Sequence, residues 1–565
     1  MEERFGPSLP VSEELHAQKY RGTGESFRDA MSRIANTLAD NPGQFPLLRE
    51  ILLTMRFLPA GRVQSDIGSP RRTTAFNCFV SDTIEDSMGG IMRSATEAAT
   101  TMRLGGGIGY DFSTLRPRGD NIVSLDSRSS GPVSFMQIFD AVCKTISSAG
   151  HRRGAQMGVL RVDHPDIEEF IESKANEDNL TQFNISVGVT DAFMEAVQKG
   201  EEYELKFDDR VYKRLDASML WNKIMALTWD WAEPGILFID RINERNNLHY
   251  CETISATNPC GEQPLPPNGA CLLGSFNLVK YIREDDKFDW KLFEADVPIV
   301  HRAMDNVIDN TSYPLDSQRS EAVSKRRMGL GVTGVANAGE RLGLPYGTPD
   351  MLKWLRRVLR TLTNSLYAAS SLVAREKGAF PVFDLAEFQQ SYTWSLLSDN
   401  TRELIEKYGL RNSHLTSIAP TGTISFSADN VSSGIEPPFS LEYQRTMQQE
   451  DGAVILNVRD YAFHKWGIKG RTAGDLTVQE HLGVLVEASK WVDSAVSKTI
   501  NVGDDVTWDE FKDVYMTAWE SGCKGVTTFR AGGKRYGVLN AAEAKEPEEG
   551  GACYIDLKTG KKSCE

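Results

Sequence analysis

Short apolar runs with the character of β-strands alternate with helical runs along most of this 565-residue chain. The runs ISVGVT (185–190) and GILFID (235–240) are typical of strands, and DASMLWNKIMALTWDWAE (216–233) between them is typical of a helix. Alternation of this kind favours an α/β architecture. Because no Pro- or Ser-rich linker divides the body and no repeat of fixed period occurs, we predict one large α/β domain.

The two ends of the chain differ from this body. Near the start, SFRDAMSRIANTLADNPGQ has apolar residues close to helical spacing and predicts a helix ending at Asn41-Pro42-Gly43. After Leu539 the sequence is charged, contains glycine and is poor in aliphatic residues, so we expect a mobile tail. The tail carries Cys553 and Cys564, which a solubilising segment does not need; chance or a weak metal clip is the alternative explanation.

Composition excludes several classes of partner. The net charge is −15 with no basic patch, so nucleic acid is not an expected partner. The N-terminus has no apolar signal region and no run of 18 apolar residues occurs, so we expect a cytoplasmic protein (host cytoplasm if viral) that does not span a membrane. Its 8 cysteines should be thiols there, and the absence of paired CxxC motifs predicts no structural zinc.

The segment Asn258-Pro259-Cys260-Gly261-Glu262 concentrates reactive side chains. If it is extended, alternation places Asn258, Cys260 and Glu262 on one face, which joins a sulfur nucleophile or radical carrier to an acid/base and a hydrogen-bonding group. Pro259 and Gly261 indicate a constrained, irregular backbone and not a helix. A loop cysteine with polar neighbours is the alternative interpretation.

Two glycine- and arginine-containing segments predict ligand contacts. In residues 104–110 the glycines do not have GxGxxG spacing, so a dinucleotide loop is disfavoured, but they allow close approach of another chain segment or a ligand. Arg116 and Arg118 follow and suit phosphate. Residues 151–158 include Arg152 and Arg153, for which a nucleotide contact and a solvated turn are both open interpretations.

The segment Ala419-Pro420-Thr421-Gly422-Thr423-Ile424-Ser425 follows an apolar run and is rich in small hydroxyl residues. Free backbone amides and three hydroxyl groups form a suitable phosphate cradle. Since no lysine lies at the required place, it is not a Walker loop. An ordinary turn is the alternative.

Taken together, these segments resemble ribonucleotide reductase catalytic subunits, in which Phe76-Asn77-Cys78-Phe79-Val80, the Asn258–Glu262 segment and the 419–425 loop occur in this order. The resemblance to the adenosylcobalamin-dependent class II enzymes rests on fuller strings: LPAGR (58–62), GGGIGYDFSTLRP (105–117), RRGAQMG (152–158), NPCGEQPLPPNGACLLGS (258–275) and SKTIN (497–501). It runs from about residue 50 to 540 and continues into the tail.

The resemblance implies a fold and its division. The expected fold is a ten-stranded α/β barrel of two antiparallel halves, with the radical cysteine on an internal finger loop. The implied segments are an N-terminal helical segment at 1–56, the catalytic barrel at 57–540 and a flexible redox-active tail at 541–565. About 55 residues precede LPAGR, which is short for the ATP-binding cone of many members, so none is expected.

The resemblance also implies catalytic roles in the reduction of ribonucleotides, expected to be diphosphates, to deoxyribonucleotides. Cys260 would carry a thiyl radical that abstracts the 3′ hydrogen, Glu262 would be the general base at the 3′ hydroxyl, and Asn258 would bind the substrate. Cys78 and Cys271 would be the reducing pair, and Cys553 and Cys564 would pass electrons to them from a thioredoxin- or glutaredoxin-like reductant.

Binding roles follow from the same resemblance. The substrate would contact the 420–425 cradle together with Arg62, Asn77 and Gly107, and no metal ligands are expected. The protein would be a homodimer. A deoxynucleoside triphosphate effector would bind at its interface, at Asp86, Arg116, Arg152 and Arg153.

One departure separates classes within the family. Class I subunits carry a tyrosine pair near the C-terminus for radical transfer from a second subunit, whereas residues 525–530 here contain none. We therefore expect adenosylcobalamin as the cofactor. The alternatives are a small class I-type subunit with a separate radical-generating protein, and an inactive nucleotide-binding regulator.

Overall fold

The computed structural model describes most of the chain, namely residues 5–71, 73–122, 126–147, 155–175, 178–449, 452–530, 532–534, 540–541, 553–555 and 562–564. Its α-helices are α1 (Pro10–Tyr20), α2 (Phe27–Leu38), α3 (Gln44–Leu53), α4 (Gly61–Asp66), α5 (Met88–Arg103), α6 (Pro132–Ser147), α7 (Ile167–Glu172), α8 (Asp191–Lys199), α9 (Ala217–Trp231), α10 (Ile239–Glu244), α11 (Trp290–Asn310), α12 (Asp316–Lys325), α13 (Val335–Arg341), α14 (Pro349–Lys377), α15 (Leu385–Phe388), α16 (Tyr392–Leu396), α17 (Asp399–Tyr408), α18 (Gly422–Ser427), α19 (Tyr461–Trp466), α20 (Val478–Ser489) and α21 (Trp508–Glu520).

The strands are β1 (Phe57–Pro59), β2 (Cys78–Val80), β3 (Gly107–Asp111), β4 (Asn121–Ile122), β5 (Ser127–Arg128), β6 (Gln156–Arg161), β7 (Phe183–Val189), β8 (Glu202–Phe207), β9 (Arg210–Asp216), β10 (Gly235–Phe238), β11 (Ala256–Thr257), β12 (Pro264–Leu265), β13 (Ala270–Asn277), β14 (Met328–Thr333), β15 (Glu442–Gln449), β16 (Gly452–Arg459), β17 (Thr499–Val502), β18 (Gly525–Arg530), β19 (Asn540–Ala541), β20 (Cys553–Ile555) and β21 (Lys562–Cys564).

The helices and strands predicted from local pattern are present with small shifts. Helix α2 begins after Ser26, which forms a capping box with Asp29. Helix α9 begins after Asp216, whose carboxylate accepts hydrogen bonds from two amides of the first turn. The predicted strand at 185–190 is the end of β7. The strand predicted over 235–240 is too long, because α10 already begins at Ile239.

The principal sheet is built from two parallel halves. One half is the series β2, β3, β6, β7 and β10, in which every neighbouring pair is parallel. In the other half β13 is parallel to β14, and β17 is parallel to β18. Strand β13 runs antiparallel to β2, and β10 runs antiparallel to β18, so the two halves run in opposite directions.

An irregular segment, residues 414–418, closes this sheet into a barrel. Thr416 bridges to Leu330 of β14, and Ile418 bridges to Val496 just before β17, both in parallel orientation. Counting this segment with β2, β3, β6, β7, β10, β13, β14, β17 and β18 gives a ring of ten, while β1 pairs only with β13. The predicted ten-stranded α/β barrel with antiparallel halves is confirmed.

A hairpin lies inside the barrel and carries Cys260 at its tip. Its arms are β11 and β12, with Thr257 opposite Pro264. Glycines of β3 make room for it: a Cβ on Gly109 would lie 1.8 Å from the Thr257 carbonyl oxygen, and one on Gly107 would lie 3.2 Å from Pro259 Cγ. The close approach predicted from the glycine run is therefore between β3 and this hairpin.

The N-terminal helices pack on the barrel and share its core. Residues of α2 and α3 belong to the same buried apolar cluster as the barrel strands. Helix α1 joins a small second cluster, in which Leu15 packs with Phe426, Tyr443 and Val458. Across the described residues, no helix combines the length and apolarity that a membrane crossing requires.

Candidate active site

A tight turn presents Cys260 at the hairpin tip. The Gly261 amide donates to the Asn258 carbonyl at 3.1 Å, and the Asn258 amide donates to the Gln263 carbonyl at 3.1 Å. Pro259 occupies the second turn position, and Gly261 has a φ of +79°. The segment is therefore not extended: the turn places Asn258 and Glu262 on opposite arms with Cys260 between them. The backbone is constrained and irregular, as Pro259 and Gly261 predicted.

The Asn258 amide group ties the hairpin to the barrel wall. Its Oδ1 accepts hydrogen bonds from the Gln263 amide at 2.9 Å and from Thr257 Oγ1 at 3.3 Å. Its Nδ2 donates to Cys78 Sγ at 3.2 Å. With the side chain fixed at both ends, Asn258 holds the turn shape and orients the Cys78 sulfur.

Glu262 is a buried carboxylate, and one of its two oxygens accepts no hydrogen bond from the described residues. Its Oε1 lies 3.8 Å from Cys78 Sγ, while Oε2 has no hydrogen-bond partner among the described residues. Burial raises the pKa of Glu262 to about 6, although Asn258 and Cys78 favour the ionised form. A buried carboxylate with a free oxygen and a pKa near neutrality is suited to accept a proton from a ligand.

Cys260 combines access with a protonated thiol. Its side chain is exposed to a water-sized molecule, whereas Asn258 and Glu262 are each 1% exposed. Desolvation by the surrounding protein, followed by the charge of Glu262, raises the pKa of the Cys260 thiol. Both observations fit a thiol at the bottom of a deep opening. At neutral pH it carries an S–H and can donate a hydrogen atom.

Cys78 and Cys271 face each other on neighbouring strands. They are directly opposite in the antiparallel register of β2 and β13, both are buried, and both are free thiols. Burial is the main cause that raises the pKa of each thiol well above its usual range. Neighbouring cross-strand positions bring side chains close enough to interact directly. The pair is therefore placed to exchange between dithiol and disulfide.

The two tail cysteines are described only by their backbone. Strands β20 and β21 are antiparallel, and Cys553 lies opposite Cys564 in their register. The remainder of the predicted 541–565 tail lies largely outside the described residues. Arg152 and Arg153, predicted to contact an effector, also lie outside them.

The predicted phosphate cradle begins where the 414–418 segment leaves the barrel wall. Ser417 Oγ donates to the Glu262 carbonyl at 2.9 Å, and Pro420 follows three residues later. Thr421, with a φ of +54°, has its hydroxyl held by Thr333 Oγ1 at 2.9 Å and by the Gly434 amide at 2.7 Å. The cradle therefore lies beside the hairpin, at the carboxyl ends of two parallel segments, where ligands of α/β sheets commonly bind.

The cradle residues differ in access. Pro420, Gly422 and Thr423 are at least partly exposed, and a Cβ on Gly422 would meet nothing within 4 Å. Thr421, Ile424 and Ser425 are buried, and the Ser425 hydroxyl already bonds to the Thr421 carbonyl and to Ser433 Oγ. The open part of the cradle is thus its first turn.

Three further predicted substrate residues lie around the start of β3. The Gly107 amide donates to the Asn77 carbonyl at 2.9 Å, and Asn77 Oδ1 is buried without a hydrogen-bond partner in the described part of the chain. Gly105, with a φ of +99°, lies against Arg62, since a Cβ there would be 2.1 Å from Arg62 Cζ. Arg62, Asn77 and Gly107 therefore converge on β3 and its neighbours.

Two of the predicted effector residues, Asp86 and Arg116, lie at a surface cleft of about 580 Å³. Arg116 Nε donates to Asp86 Oδ2 at 2.6 Å, so this arginine is already engaged by a carboxylate. The cleft is lined by these two residues and by Asp120, Phe207, Asp208, Asp209, Arg210 and Tyr212. The aromatic and acidic residues of the β8–β9 hairpin were not predicted from sequence.

Two residues of the site were missed by the motif analysis. Ser417 binds the Glu262 carbonyl, and Thr333 at the end of β14 holds Thr421. Ser417 lies in the apolar run before the cradle, so alternation along that run is the signal that was available. Thr333 carried no signal, because only the parallel alignment of β14 with the 414–418 segment brings it there.

Strand β18 contains no tyrosine, and its threonines face different surroundings. Thr528 is buried and its hydroxyl lies 2.8 Å from the hydroxyl of Tyr515, while Thr527 is exposed. Burial raises the pKa of Tyr515, which stays protonated. A relay of adjacent redox-active tyrosines is not available in this strand.

Comparison with known proteins agrees with this architecture. The family model described as "Ribonucleotide reductase, barrel domain" matches residues 76–465 and 464–529. The chain is 34% identical over 573 residues to the vitamin B12-dependent ribonucleoside-diphosphate reductase of Mycobacterium tuberculosis, covering 94% of this chain and 79% of that protein.

Two further relatives bear on the class. The vitamin B12-dependent ribonucleoside-diphosphate reductase of Thermoplasma acidophilum is 33% identical over 590 residues, covering 97% of this chain and 74% of that protein. The ribonucleoside-diphosphate reductase subunit alpha of Chlamydia pneumoniae is 24% identical over 604 residues, covering 90% and 57%.

Proposed function

Because the chain belongs to the ribonucleotide reductase family, we propose that it reduces ribonucleoside diphosphates to 2′-deoxyribonucleotides for DNA precursor synthesis, with adenosylcobalamin as its radical source. One arrangement carries this proposal. An accessible Cys260 thiol, the buried Glu262 carboxylate and the facing thiols of Cys78 and Cys271 surround one hairpin inside the barrel.

The cofactor assignment is supported by Cys260, whose thiol at the hairpin tip can donate a hydrogen atom. Cys260 is an exposed, protonated thiol, and β18 has no tyrosine from which a second subunit could pass a radical. When bound, adenosylcobalamin supplies an organic radical that takes a hydrogen atom from a thiol. Cys260 is the residue that would face it.

The proposed chemistry balances over the residues of the site. Cys260, as a thiyl, takes the 3′ hydrogen atom of the ribose, and Glu262 takes the proton of the 3′ hydroxyl. The 2′ hydroxyl leaves as water after Cys78 or Cys271 supplies a proton. The second thiol supplies the hydrogen that replaces the hydroxyl on the 2′ carbon, so the two thiols together furnish two electrons and become a disulfide. Glu262 returns its proton to the 3′ oxygen, and Cys260 returns its hydrogen atom to the 3′ carbon.

Asn258 has a positioning role in this sequence and can also bind the substrate. Its Nδ2 donates to Cys78 Sγ and so holds the sulfur beside the Glu262 carboxylate. The substrate's diphosphate would lie at the cradle of residues 420–425, with Asn77, Gly107 and Arg62 on its other side. Both B12-dependent relatives are named ribonucleoside-diphosphate reductases, which supports a diphosphate substrate.

The remaining assignments concern partners and regulation. A deoxynucleoside triphosphate effector would bind at Asp86 and Arg116, together with Arg152 and Arg153, at the interface of a homodimer. A thioredoxin- or glutaredoxin-like protein would reduce the tail cysteines Cys553 and Cys564, which then reduce the Cys78–Cys271 disulfide. The backbone register that pairs the two tail cysteines supports their acting as one dithiol.

The domain division predicted from sequence is retained as part of this proposal. In this proposal residues 1–56 are an N-terminal helical segment, residues 57–540 are the catalytic barrel, and residues 541–565 are the redox-active tail. The free thiols of the barrel suit a reducing compartment, so we place the protein in the cytoplasm.

The test is turnover of the purified chain with a ribonucleoside diphosphate, a small dithiol and adenosylcobalamin. Formation of deoxynucleotide only when the cobalamin is present supports the proposal. No turnover with cobalamin, but turnover with a radical-generating subunit, identifies a class I-type enzyme. Nucleotide binding without turnover under either condition identifies an inactive regulator.

A further inference from the structure

The N-terminal strap, defined here as residues 8–20, connects two parts of the proposed substrate site that are far apart in sequence. It comprises Ser8, Leu9 and helix α1. At one end it contacts α18, the short helix that begins in the phosphate cradle. At the other end it contacts α4, the helix that carries Arg62.

The contact with α18 is a set of hydrogen bonds across more than 400 residues of sequence. The Ser8 and Leu9 amides donate to Asp429 Oδ1 at 2.7 and 2.9 Å, and Ser8 Oγ donates to Asp429 Oδ2 at 2.7 Å. Ser12 Oγ donates to the Phe426 carbonyl at 2.7 Å, at the C-terminal end of α18. The strap therefore forms hydrogen bonds with the C-terminal end of α18, the end that lies away from the cradle.

Asp429 is held in place for this contact. It is 3% exposed and has a φ of +64°, and its carbonyl lies 3.0 Å from His464 Nε2. The half-buried Lys280 ammonium interacts electrostatically with it. A carboxylate this deeply buried is stabilised only when its oxygens accept hydrogen bonds or face a cation. The strap supplies three of those hydrogen bonds.

Apolar packing reinforces the same junction. Leu15 of the strap lies in a small buried cluster with Phe426, Tyr443 and Val458. This cluster is separate from the main barrel core. The C-terminal end of α18 is thus packed on the strap and on the β15–β16 hairpin.

At its other end the strap is fixed to α4. His16 Nε2 lies 2.9 Å from Gln64 Oε1, and Gln64 Nε2 donates to the Pro59 carbonyl at 2.7 Å. Tyr20 packs so closely on α4 that a Cβ on Gly61 would lie 2.7 Å from Tyr20 Cε1. Burial lowers the pKa of His16 to about 4, so this contact is between neutral groups at physiological pH.

We propose that the N-terminal strap positions the substrate's diphosphate by holding α18 against the barrel from the side opposite the cradle. Helix α18 has only six residues, Gly422–Ser427, and a helix of that length has no stability of its own in water. Thr421, the residue just before it, is held by Thr333 of β14 and by the Gly434 amide, and the last turn of α18 is held by the strap. The orientation of its exposed first-turn groups therefore depends on both attachments.

A reciprocal effect follows from this connection. If the docked strap favours the α18 orientation that binds phosphate, then bound diphosphate must favour the docked strap by the same factor. The inference rests on the proposed function, in which the cradle receives the substrate's phosphates. The strap residues touch neither the hairpin nor the substrate in this account, so they are positioning residues.

The test uses equilibrium binding to the full chain in a Cys260→Ser background, which removes turnover. Ser8→Ala with Ser12→Ala deletes two side-chain hydrogen bonds of the strap to α18. The matched control is Ser324→Ala with Ser395→Ala, because each of those hydroxyls donates to a carbonyl of its own helix. Ribonucleoside diphosphate, the corresponding nucleoside and a deoxynucleoside triphosphate are the three probes.

The expected result is a loss of diphosphate affinity of about 2- to 10-fold in the strap variant, because only part of the stabilisation lost with the two hydrogen bonds is transmitted to the phosphate site. Nucleoside and triphosphate affinities, and those of the control variant, should stay unchanged. Equal diphosphate affinity in strap and control variants overturns the inference. An equal loss for all three probes also overturns it, because it indicates general destabilisation.

Hydrogen exchange gives a second readout that needs no substitution. Diphosphate should slow exchange of the Ser8 and Leu9 amides, whereas triphosphate effector should not. Unchanged exchange at these amides contradicts the coupling. If the Cys260→Ser chain does not bind diphosphate at all, the proposed function fails; if it binds with the same affinity in every variant, only the strap inference fails.

Discussion

Cys78 Sγ lies 3.8 Å from Glu262 Oε1, and the side-chain Nδ2 of Asn258 donates to the same sulfur at 3.2 Å. One residue comes from the barrel wall and the other from the hairpin inside it. This contact joins the proposed reducing thiol to the proposed base. It also explains why the charge of Glu262 is among the causes that raise the pKa of Cys78.

The pH dependence of turnover should report Glu262. Burial raises the pKa of this carboxyl to about 6, and a general base must be ionised to act. We expect kcat/KM for the diphosphate to rise with pH through an apparent pKa near 6 and then level off. A profile flat between pH 5 and 7 would contradict the assignment of Glu262 as base.

Glu262→Gln should separate stability from activity. Because the folded-state pKa lies above its ordinary value of 4.5, ionised Glu262 destabilises the fold; this cost is full above about pH 6 and absent below about pH 4.5. We expect the variant to lose turnover yet gain about 2 kcal/mol of unfolding free energy at pH 7.5. Denaturant unfolding at pH 7.5 and 4.5 measures this, and an equal gain at both values would refute the linkage.

Gly109→Ala should disrupt the hairpin inside the barrel. The added Cβ would lie 1.8 Å from the Thr257 carbonyl oxygen, which is backbone and cannot rotate away. We expect a loss of about 1 to 3 kcal/mol in unfolding free energy together with loss of turnover. Gly89→Ala in α5 is the matched control, since nothing lies within 4 Å of its Cβ position, and it should stay within about 1 kcal/mol of the wild type.

A single turnover without external reductant should oxidise Cys78 and Cys271 only. Their facing positions on β2 and β13 allow a disulfide, whereas the buried Cys143 and Cys523 lie on other elements. Alkylation followed by peptide mass spectrometry should show one new disulfide between these two residues per deoxynucleotide formed, in a variant with both tail cysteines replaced by serine. Product formed while both thiols remain alkylatable would exclude them as the electron source.

The sequence predicted the reactive residues of the site better than it predicted the backbone that holds them. The glycines at 105–109 predicted close approach, and Gly109 does receive the Thr257 carbonyl. Pro259 and Gly261 predicted an irregular backbone at 258–262, and the structure has a turn there, closed by a hydrogen bond between residues three apart. The single face considered for an extended segment does not form, because side-chain alternation holds only for extended backbone.

Closure of the barrel could not be predicted from local pattern. Residues 414–418 join the ring through isolated bridges to β14 and to Val496, and nothing within the segment specifies those distant partners. The contact of Ser8 with Asp429 is likewise invisible in sequence, because it depends on where the barrel places α18. Long-range pairings of this kind are set by the packing of the whole domain.

The central claim is that Cys260 carries the radical, and the most direct measurement compares Cys260→Ser with the wild type. Both proteins are given adenosylcobalamin, a ribonucleoside diphosphate and a small dithiol, and deoxynucleotide is quantified while diphosphate affinity is measured in parallel. We expect wild-type turnover and none in Cys260→Ser, with unchanged diphosphate affinity. Deoxynucleotide formation by Cys260→Ser at the wild-type rate would contradict the account.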